Sequence, residues 1–184
     1  PWDSVTSTTW PSPPVTCKTS GASIASVLLI SMFITAMEPS TSSKMTRRFS
    51  IILSTSIPLF AYPGTGREFE NGKDFGHGYT KNSPVLPGRG DDEYKRLIQK
   101  DLLPAFDEFK PEVILVSAGF DAHIDDEMAD MQLSTEGFSW IMQKIVELGI
   151  RYSKGRVISI LEGGYSLKRL PELARNHVEI LLNA

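Results

Sequence analysis

The chain has few of the residues that most often bind metals. Its 184 residues include one cysteine, Cys17, and three histidines, none of which precedes His77. A single cysteine excludes an internal disulfide and a thiolate cluster, so a metal ion would need His, Asp or Glu ligands. Low cysteine use is typical of a reducing compartment, and we expect a cytoplasmic protein, or a nuclear one in a eukaryote.

The chain also lacks a strong charge bias and a long apolar run. Its formal net charge of -3 and its pI of about 5.7 disfavour direct binding to nucleic acid. The one membrane candidate, residues 22–37, is interrupted by Ser and Thr and is shorter than the roughly 20 apolar residues of a membrane span. We therefore expect no membrane contact, and a membrane-anchored domain is the weakest hypothesis.

Composition divides the chain near Pro58. Residues 1–57 are rich in Ser, Thr and Pro, and their only acidic residues are Asp3 and Glu38. Residues 58–184 alternate between helical and extended patterns, and the total length suits one domain of ordinary size. We predict an irregular segment over residues 1–57 and an α/β domain over residues 58–184.

The second segment predicts three helices and two strands. Apolar residues recur at helical spacing in the helices, and Pro104 should kink or end the first of them. The two β-branched runs lack period-two alternation, which indicates a parallel sheet that is buried on both faces. The predicted helices cover residues 91–109, 134–150 and 171–182, and the strands cover residues 113–117 and 157–161.

Chemically useful side chains follow both predicted strands. Ligands of open parallel sheets bind outside the carboxyl ends of the strands, and Asp121 and Tyr165 each lie just past such an end. Asp121 could cap its loop, ligate a metal or act as a general base. His123 would share a face with Asp121 on extended backbone, but catalytic zinc needs three protein ligands. Tyr165, behind Gly163 and Gly164, could donate to an oxyanion or cover the sheet as an aromatic plug.

The loop after His123 is strongly acidic. Its spacing of acids does not match the ligand positions of a calcium-binding loop. We interpret the acids as a solvated surface, formed by Asp125, Asp126, Glu127 and Asp130.

Four motifs together resemble one family. They are "YPGTG" at 62–66, "GHGYTKNSPVLPG" at 76–88, "FKPEVILVSAGFDAH" at 109–123 and "VISILEGGY" at 157–165. In this order and spacing they resemble the zinc-dependent histone deacetylase superfamily, which includes acetylpolyamine amidohydrolases and acetoin-utilization type proteins. The resemblance covers residues 58–184, the C-terminal part of such a domain.

The resemblance implies a fold, a cofactor and a site. The fold would be a partial three-layer α/β/α arginase-like domain around a parallel sheet, with one zinc ion below a tunnel for an acetylated protein, polyamine or small molecule. Asp121 would be a zinc ligand, and Tyr165 would be a catalytic residue that hydrogen-bonds the polarised amide carbonyl. Tyr62, Gly119 and Gly164 would line the substrate site.

The same resemblance reveals missing residues. In the family the other two zinc ligands come from an Asp-x-His motif in a stretch that reads DVHHGNGT, and a tandem histidine pair precedes it. The family does not use the residue at His123 as a ligand. Because no histidine precedes His77, we expect a truncated and catalytically impaired deacetylase. The alternative is a non-catalytic pseudo-enzyme or interaction module.

Residues 1–57 permit the missing segments in another reading frame. Trp and Met have one codon each, so Trp2, Trp10, Met32 and Met37 fix their bases. Read from the third base of each codon, "PWDSVTSTTWPSPP" permits MGFCYFNNVAIAA and "SMFITAMEP" permits DVHHGNGT. Both strings are signatures of the family in its own order. We hypothesise that residues 1–57 are an out-of-frame translation, which sequencing the locus near codon 57 would test.

An out-of-frame segment would have a physical cost. Its apolar positions were never selected to pack against the domain, so the sheet would lose interior strands and expose an edge. We therefore expect poor solubility or partial folding, which circular dichroism can measure.

Overall fold

The computed structural model describes residues 28–37, 44–54 and 66–184, which form one five-stranded sheet with helices packed on it. The strands lie in the order β3-β2-β1-β4-β5 across the sheet. This arrangement confirms the predicted α/β class. In chain order the strands are β1 Leu28–Met37, β2 Lys44–Ser54, β3 Thr80–Pro84, β4 Val113–Ala118 and β5 Val157–Leu161.

The helices follow the predicted ranges closely. α3 begins after Ser134, whose side chain accepts a hydrogen bond from the Gly137 N–H at 2.9 Å, as expected of an N-cap. Strands β4 and β5 also lie where the β-branched runs predict them. The helices are α1 Asp91–Leu97, α2 Leu103–Phe109, α3 Thr135–Ser153 and α4 Leu170–Leu182.

Helices α1 and α2 are joined without a break by a π-helical turn, Ile98–Leu102. Pro104 lies in the first turn of α2, directly after this wider turn. Proline lacks an N–H and its ring crowds the carbonyl four residues earlier, so a wider turn relieves a conflict that an α-helical turn would suffer. Pro104 therefore distorts the helix but does not end it.

The sheet is mixed rather than wholly parallel. β4 and β5 are parallel, with Ile114 opposite Val157 and Ala118 opposite Leu161, and β2 and β3 are parallel as well. β1 is antiparallel to both β2 and β4. Only residues 38–43 join β1 to β2, and so short a connection cannot make the crossover that parallel neighbours need. The parallel prediction holds for the two strands that carry the site.

The prediction of an irregular N-terminal segment is wrong for residues 28–37 and 44–54. Both stretches are rich in β-branched and apolar residues, which favour strands, and β1 pairs along the edge of β4. Ile51 of β2 is fully buried in the core. Residues 22–37, the membrane candidate, end in β1, and no helix in the described ranges is long and apolar enough to cross a membrane.

The core lies on one face of the sheet. Ile114 and Val116 of β4 are fully buried there, under α3 and beside the other helices. In β5, Ile158 and Ile160 lie on the opposite face of the sheet, and they are 53% and 49% exposed. The described residues thus form two layers of the expected three-layer domain, and the second face of β5 is open.

Candidate functional site

The loops that follow β4 and β5 run side by side. The Glu162 N–H donates to the Ala118 carbonyl and the Phe120 N–H donates to the Gly163 carbonyl, both at 2.9 Å. These bonds extend the parallel pairing past the ends of the strands. The structure therefore brings the two predicted loops together at one edge of the sheet, as the strand order requires.

Asp121 lies at the inner end of this pair of loops. Its side chain is 1% exposed, and its Oδ1 is buried without a hydrogen-bond partner in the described part of the chain. A Cβ added to Gly163 would lie 2.8 Å from Oδ2, so the glycine leaves room for the carboxylate. Burial, together with the charge of Asp126 and against the backbone N–H groups of Asp121 and Ala122, raises the pKa of Asp121 to about 6.

Tyr165 lies at the outer end of the same pair. Gly164 has a φ of +136°, a conformation that disfavours L side chains, and it turns the chain against Phe120. The ring of Tyr165 is 49% exposed, so it is not a buried plug over the sheet. A half-exposed phenol on the loop that pairs with the loop of Asp121 suits a donor to a substrate oxygen.

His123 has a structural role. It is 2% exposed, its Nδ1 accepts a hydrogen bond from the Asp125 N–H at 3.0 Å, and its Nε2 lies 3.1 Å from the Thr135 hydroxyl. Burial also lowers its pKa, which favours the neutral ring. Since both ring nitrogens have protein partners, Asp121 and His123 do not form a two-ligand metal unit.

The remaining predicted site residues are placed unequally. Tyr62 lies outside the described residues, so its position in a tunnel wall stays a prediction. Gly119 is buried and lines a small cavity together with Phe138 and His177. Gly119 lies in the loop after β4 and Gly164 in the loop after β5. Their contact with a substrate stays a prediction.

Two residues of the site escape the sequence patterns. Asp126, interpreted above as part of a solvated surface, is only 6% exposed and accepts hydrogen bonds from the N–H groups of Met128, Tyr165 and Ser166. Tyr94 of α1 is fully buried, its hydroxyl has no hydrogen-bond partner among the described residues, and burial together with the charge of Asp121 raises its pKa. Helical spacing marks Tyr94 only as a core residue, and no spacing marks Asp126, because contacts between distant parts of the chain bring both residues to the site.

The residues present fit part of a metal site. The unpartnered Oδ1 of Asp121 suits one ligand bond, since buried carboxylates are otherwise paired or hydrogen-bonded. Within residues 28–37, 44–54 and 66–184, however, no group of three His, Cys, Asp or Glu side chains could hold a metal ion. The described residues alone do not complete a zinc site.

The parallel strand pair, with a buried acid and a half-exposed phenol beyond its ends, has the form of a ligand site of an open α/β sheet. The family model of the histone deacetylase domain matches residues 44–181. This chain belongs to the histone deacetylase family. The match begins within the segment that composition sets apart.

Individual relatives agree with this assignment. A probable deacetylase of Archaeoglobus fulgidus is 39% identical over 121 residues, 66% of this chain and 33% of the relative. A histone deacetylase-like amidohydrolase of Pseudomonas aeruginosa is 38% identical over 59% of this chain and 29% of the relative. The crystal structure of an acetylpolyamine aminohydrolase from Burkholderia pseudomallei superimposes with a TM-score of 0.61 at 26% identity, over 71% of this chain and 36% of that one. The chain spans about a third of the length of these relatives.

Proposed function

We propose that this chain forms the C-terminal part of a zinc-dependent deacetylase that hydrolyses the amide bond of an acetyl-lysine or an acetylated amine. One observation carries the proposal. Asp121 is a buried carboxylate whose Oδ1 has no hydrogen-bond partner within the ranges that the structure describes, and it lies past a parallel strand beside the loop of Tyr165. An acid in that position is poised to meet an electrophilic cation rather than solvent.

Two residues would act on the reaction from this side of the site. Bound zinc would supply Lewis acidity toward the amide carbonyl. Asp121 contributes a negative charge and a directed oxygen at the inner end of the paired loops. Tyr165 contributes an O–H that can donate to the carbonyl oxygen as its charge increases. Both groups are fixed on neighbouring strand ends, so little reorganisation is needed to present them together.

We also propose that these 184 residues are catalytically impaired on their own. Asp121 is one ligand, and the family's Asp-x-His pair has no counterpart before His77. A zinc ion held by one carboxylate would exchange rapidly, because tight zinc sites use three or four protein ligands.

For the substrate we propose an acetylated protein, an acetylpolyamine or a small acetylated metabolite, in the cytoplasm. The relatives named above include both a histone deacetylase-like amidohydrolase and an acetylpolyamine aminohydrolase. A second candidate function, an interaction module without catalysis, is favoured by the exposed apolar residues Ile158, Ile160 and Leu161 on β5.

Zinc content and turnover test the proposal. The chain is compared with a version in which residues 1–57 are replaced by the sequence of the shifted frame, including DVHHGNGT. We expect about one zinc per chain only in the replaced version, and hydrolysis of a fluorogenic acetyl-lysine peptide only when the family's tandem histidine pair is also added ahead of it. In that version Asp121→Asn should remove zinc, while Tyr165→Phe should keep zinc and lose most turnover.

Two outcomes would contradict the proposal in different ways. Turnover by the chain as it stands would refute the impairment. A replaced version that folds but binds no zinc, or that keeps its zinc after Asp121→Asn, would refute the role of Asp121.

A further inference from the structure

A single carboxylate connects the two loops of the site. Asp126 belongs to the loop after β4, yet its Oδ2 accepts hydrogen bonds from the N–H groups of Tyr165 at 2.7 Å and Ser166 at 2.9 Å. Its Oδ1 accepts a third bond, from the Met128 N–H at 3.0 Å. Its own N–H donates to the His123 carbonyl at 2.8 Å. The carboxylate is therefore held on both oxygens and through its backbone.

The loop after β5 needs such an anchor. The backbone pairing with the loop after β4 ends at the hydrogen bond that the Phe120 N–H donates to the Gly163 carbonyl. Helix α4 begins only at Leu170. Gly163 and Gly164 between these points have no side chains to fix them, and Gly164 has a positive φ. Glycines leave a backbone many alternative conformations, so tertiary contacts must select one.

The contacts to Asp126 have the geometry of a strong anion site. Two successive N–H groups converge on one oxygen, as they do in backbone nests that bind anions. Hydrogen bonds to an ionised carboxylate are roughly twice as strong as neutral ones. A second side-chain connection of the same loops is the ion pair from Arg169 to Asp125 at 2.6 Å, which is partly exposed on both sides and therefore contributes less.

We propose that Asp126 is a positioning residue for Tyr165: its carboxylate fixes the backbone at residues 165–166, so that the phenol is presented beside Asp121. A role for Tyr165 in catalysis rests on the proposed function, but the fixing of its backbone by Asp126 can be tested without catalysis. The position of Tyr165 is then set by the loop that also carries Asp121, and the two groups keep a constant relation when the loops move.

Amide hydrogen exchange, followed by NMR on the full chain, tests the inference. In the unaltered protein the amides of Tyr165 and Ser166 should exchange at least about tenfold more slowly than the amides of exposed loops. Asp126→Ala should raise both exchange rates by about tenfold, and Asp126→Asn, which keeps one acceptor oxygen, should restore part of the protection. Glu127→Gln is the matched control, because it removes the same charge from an exposed neighbour on the same loop.

A second signal reports on the ring itself. In protein labelled with 3-fluorotyrosine, the fluorine resonance assigned by Tyr165→Phe should shift and sharpen in Asp126→Ala, while the amides of α3 keep their rates. A merely global role for Asp126 would instead change the α3 amides together with the loop.

Several outcomes would overturn the inference. One is fast exchange of both amides in the unaltered protein, a measurement that needs no variant to fold. Others are equal rates in Asp126→Ala and Glu127→Gln, or loss of protection throughout α3 in both Asp126 variants. Failure of the zinc experiment leaves all of these readings unaffected, so the two proposals fail separately.

Discussion

Gly163 illustrates how one missing side chain shapes the site. The residue follows β5 at the point where the chain passes the carboxylate of Asp121, and a methyl group there would contact Oδ2. A glycine is required by this close approach and not by its backbone angle, since its φ is not positive. The position therefore links the packing of two loops to the freedom of a candidate metal ligand.

Gly163→Ala should lower the free energy of unfolding by about 1–3 kcal/mol, because overpacking forces either the loop or the carboxylate to move. Urea denaturation followed by circular dichroism measures the change. Gly76→Ala is the control, since a Cβ at that glycine would contact nothing within 4 Å and its φ is not positive. Equal effects of the two substitutions would show that Asp121 has room to spare.

At the scale of elements, the start of α1 is tied to the start of α3. The carboxylate of Asp91 accepts hydrogen bonds from the Ser134 N–H at 2.9 Å and the Ser134 hydroxyl at 2.7 Å, and the same hydroxyl oxygen caps α3 at Gly137. A Cβ on Gly137 would collide with Asp91, so the helices meet closely at this point. The cap of one helix thus depends on a side chain from another.

Asp91→Ala should destabilise the fold by about 1–3 kcal/mol, since it leaves the half-buried N–H and hydroxyl of Ser134 without their acceptor. Asp92→Ala, its exposed neighbour in the same helical turn, should change stability by less than about 0.5 kcal/mol. Thermal melts of both variants and of Ser134→Ala, combined in a double-mutant cycle, measure the coupling. Additive effects of Asp91→Ala and Ser134→Ala would contradict the shared cap.

At the scale of the whole molecule, β5 is an edge strand with an open apolar face. It ends the strand order, and Ile158 and Ile160, which lie on the face away from the core, are about half exposed. Edge strands with exposed apolar residues pair readily with other chains. The chain matches only about a third of each relative, which is consistent with a face that a larger domain would cover.

Ile158→Lys combined with Ile160→Lys should reduce self-association, because the charges oppose contact between two copies of the exposed face. Sedimentation velocity across a concentration series measures the effect. Leu182→Lys, at an exposed apolar residue of α4, serves as the control. If all three proteins associate equally, the β5 face is not the cause.

The sequence predicts the parallel pair β4 and β5 and the neighbouring loops that carry Asp121 and Tyr165, because strand type and strand end are local properties. β1 and β2 are not predicted, since their strand form depends on pairing with β4 and with each other. The interpretation of Asp126 as a solvated surface residue is wrong for a similar reason. Its neighbours in the sequence are acidic and exposed, and two of the N–H groups that bind it belong to residues about 40 positions away. The boundary at residue 57 and the role of Tyr62 stay predictions.

The π-helical turn has a consequence for the interior. Tyr94, Ile98, Leu102 and Phe106 recur every four residues, and all four are fully buried. In a regular α-helix each such step overshoots a full rotation by about 40°, so the last side chain would point well away from the first. The wider turn at Ile98–Leu102 winds back part of this drift and keeps the four on one side. The π-helical turn thus keeps these four side chains on the buried side of the helix, where the charge of Asp121 acts on Tyr94.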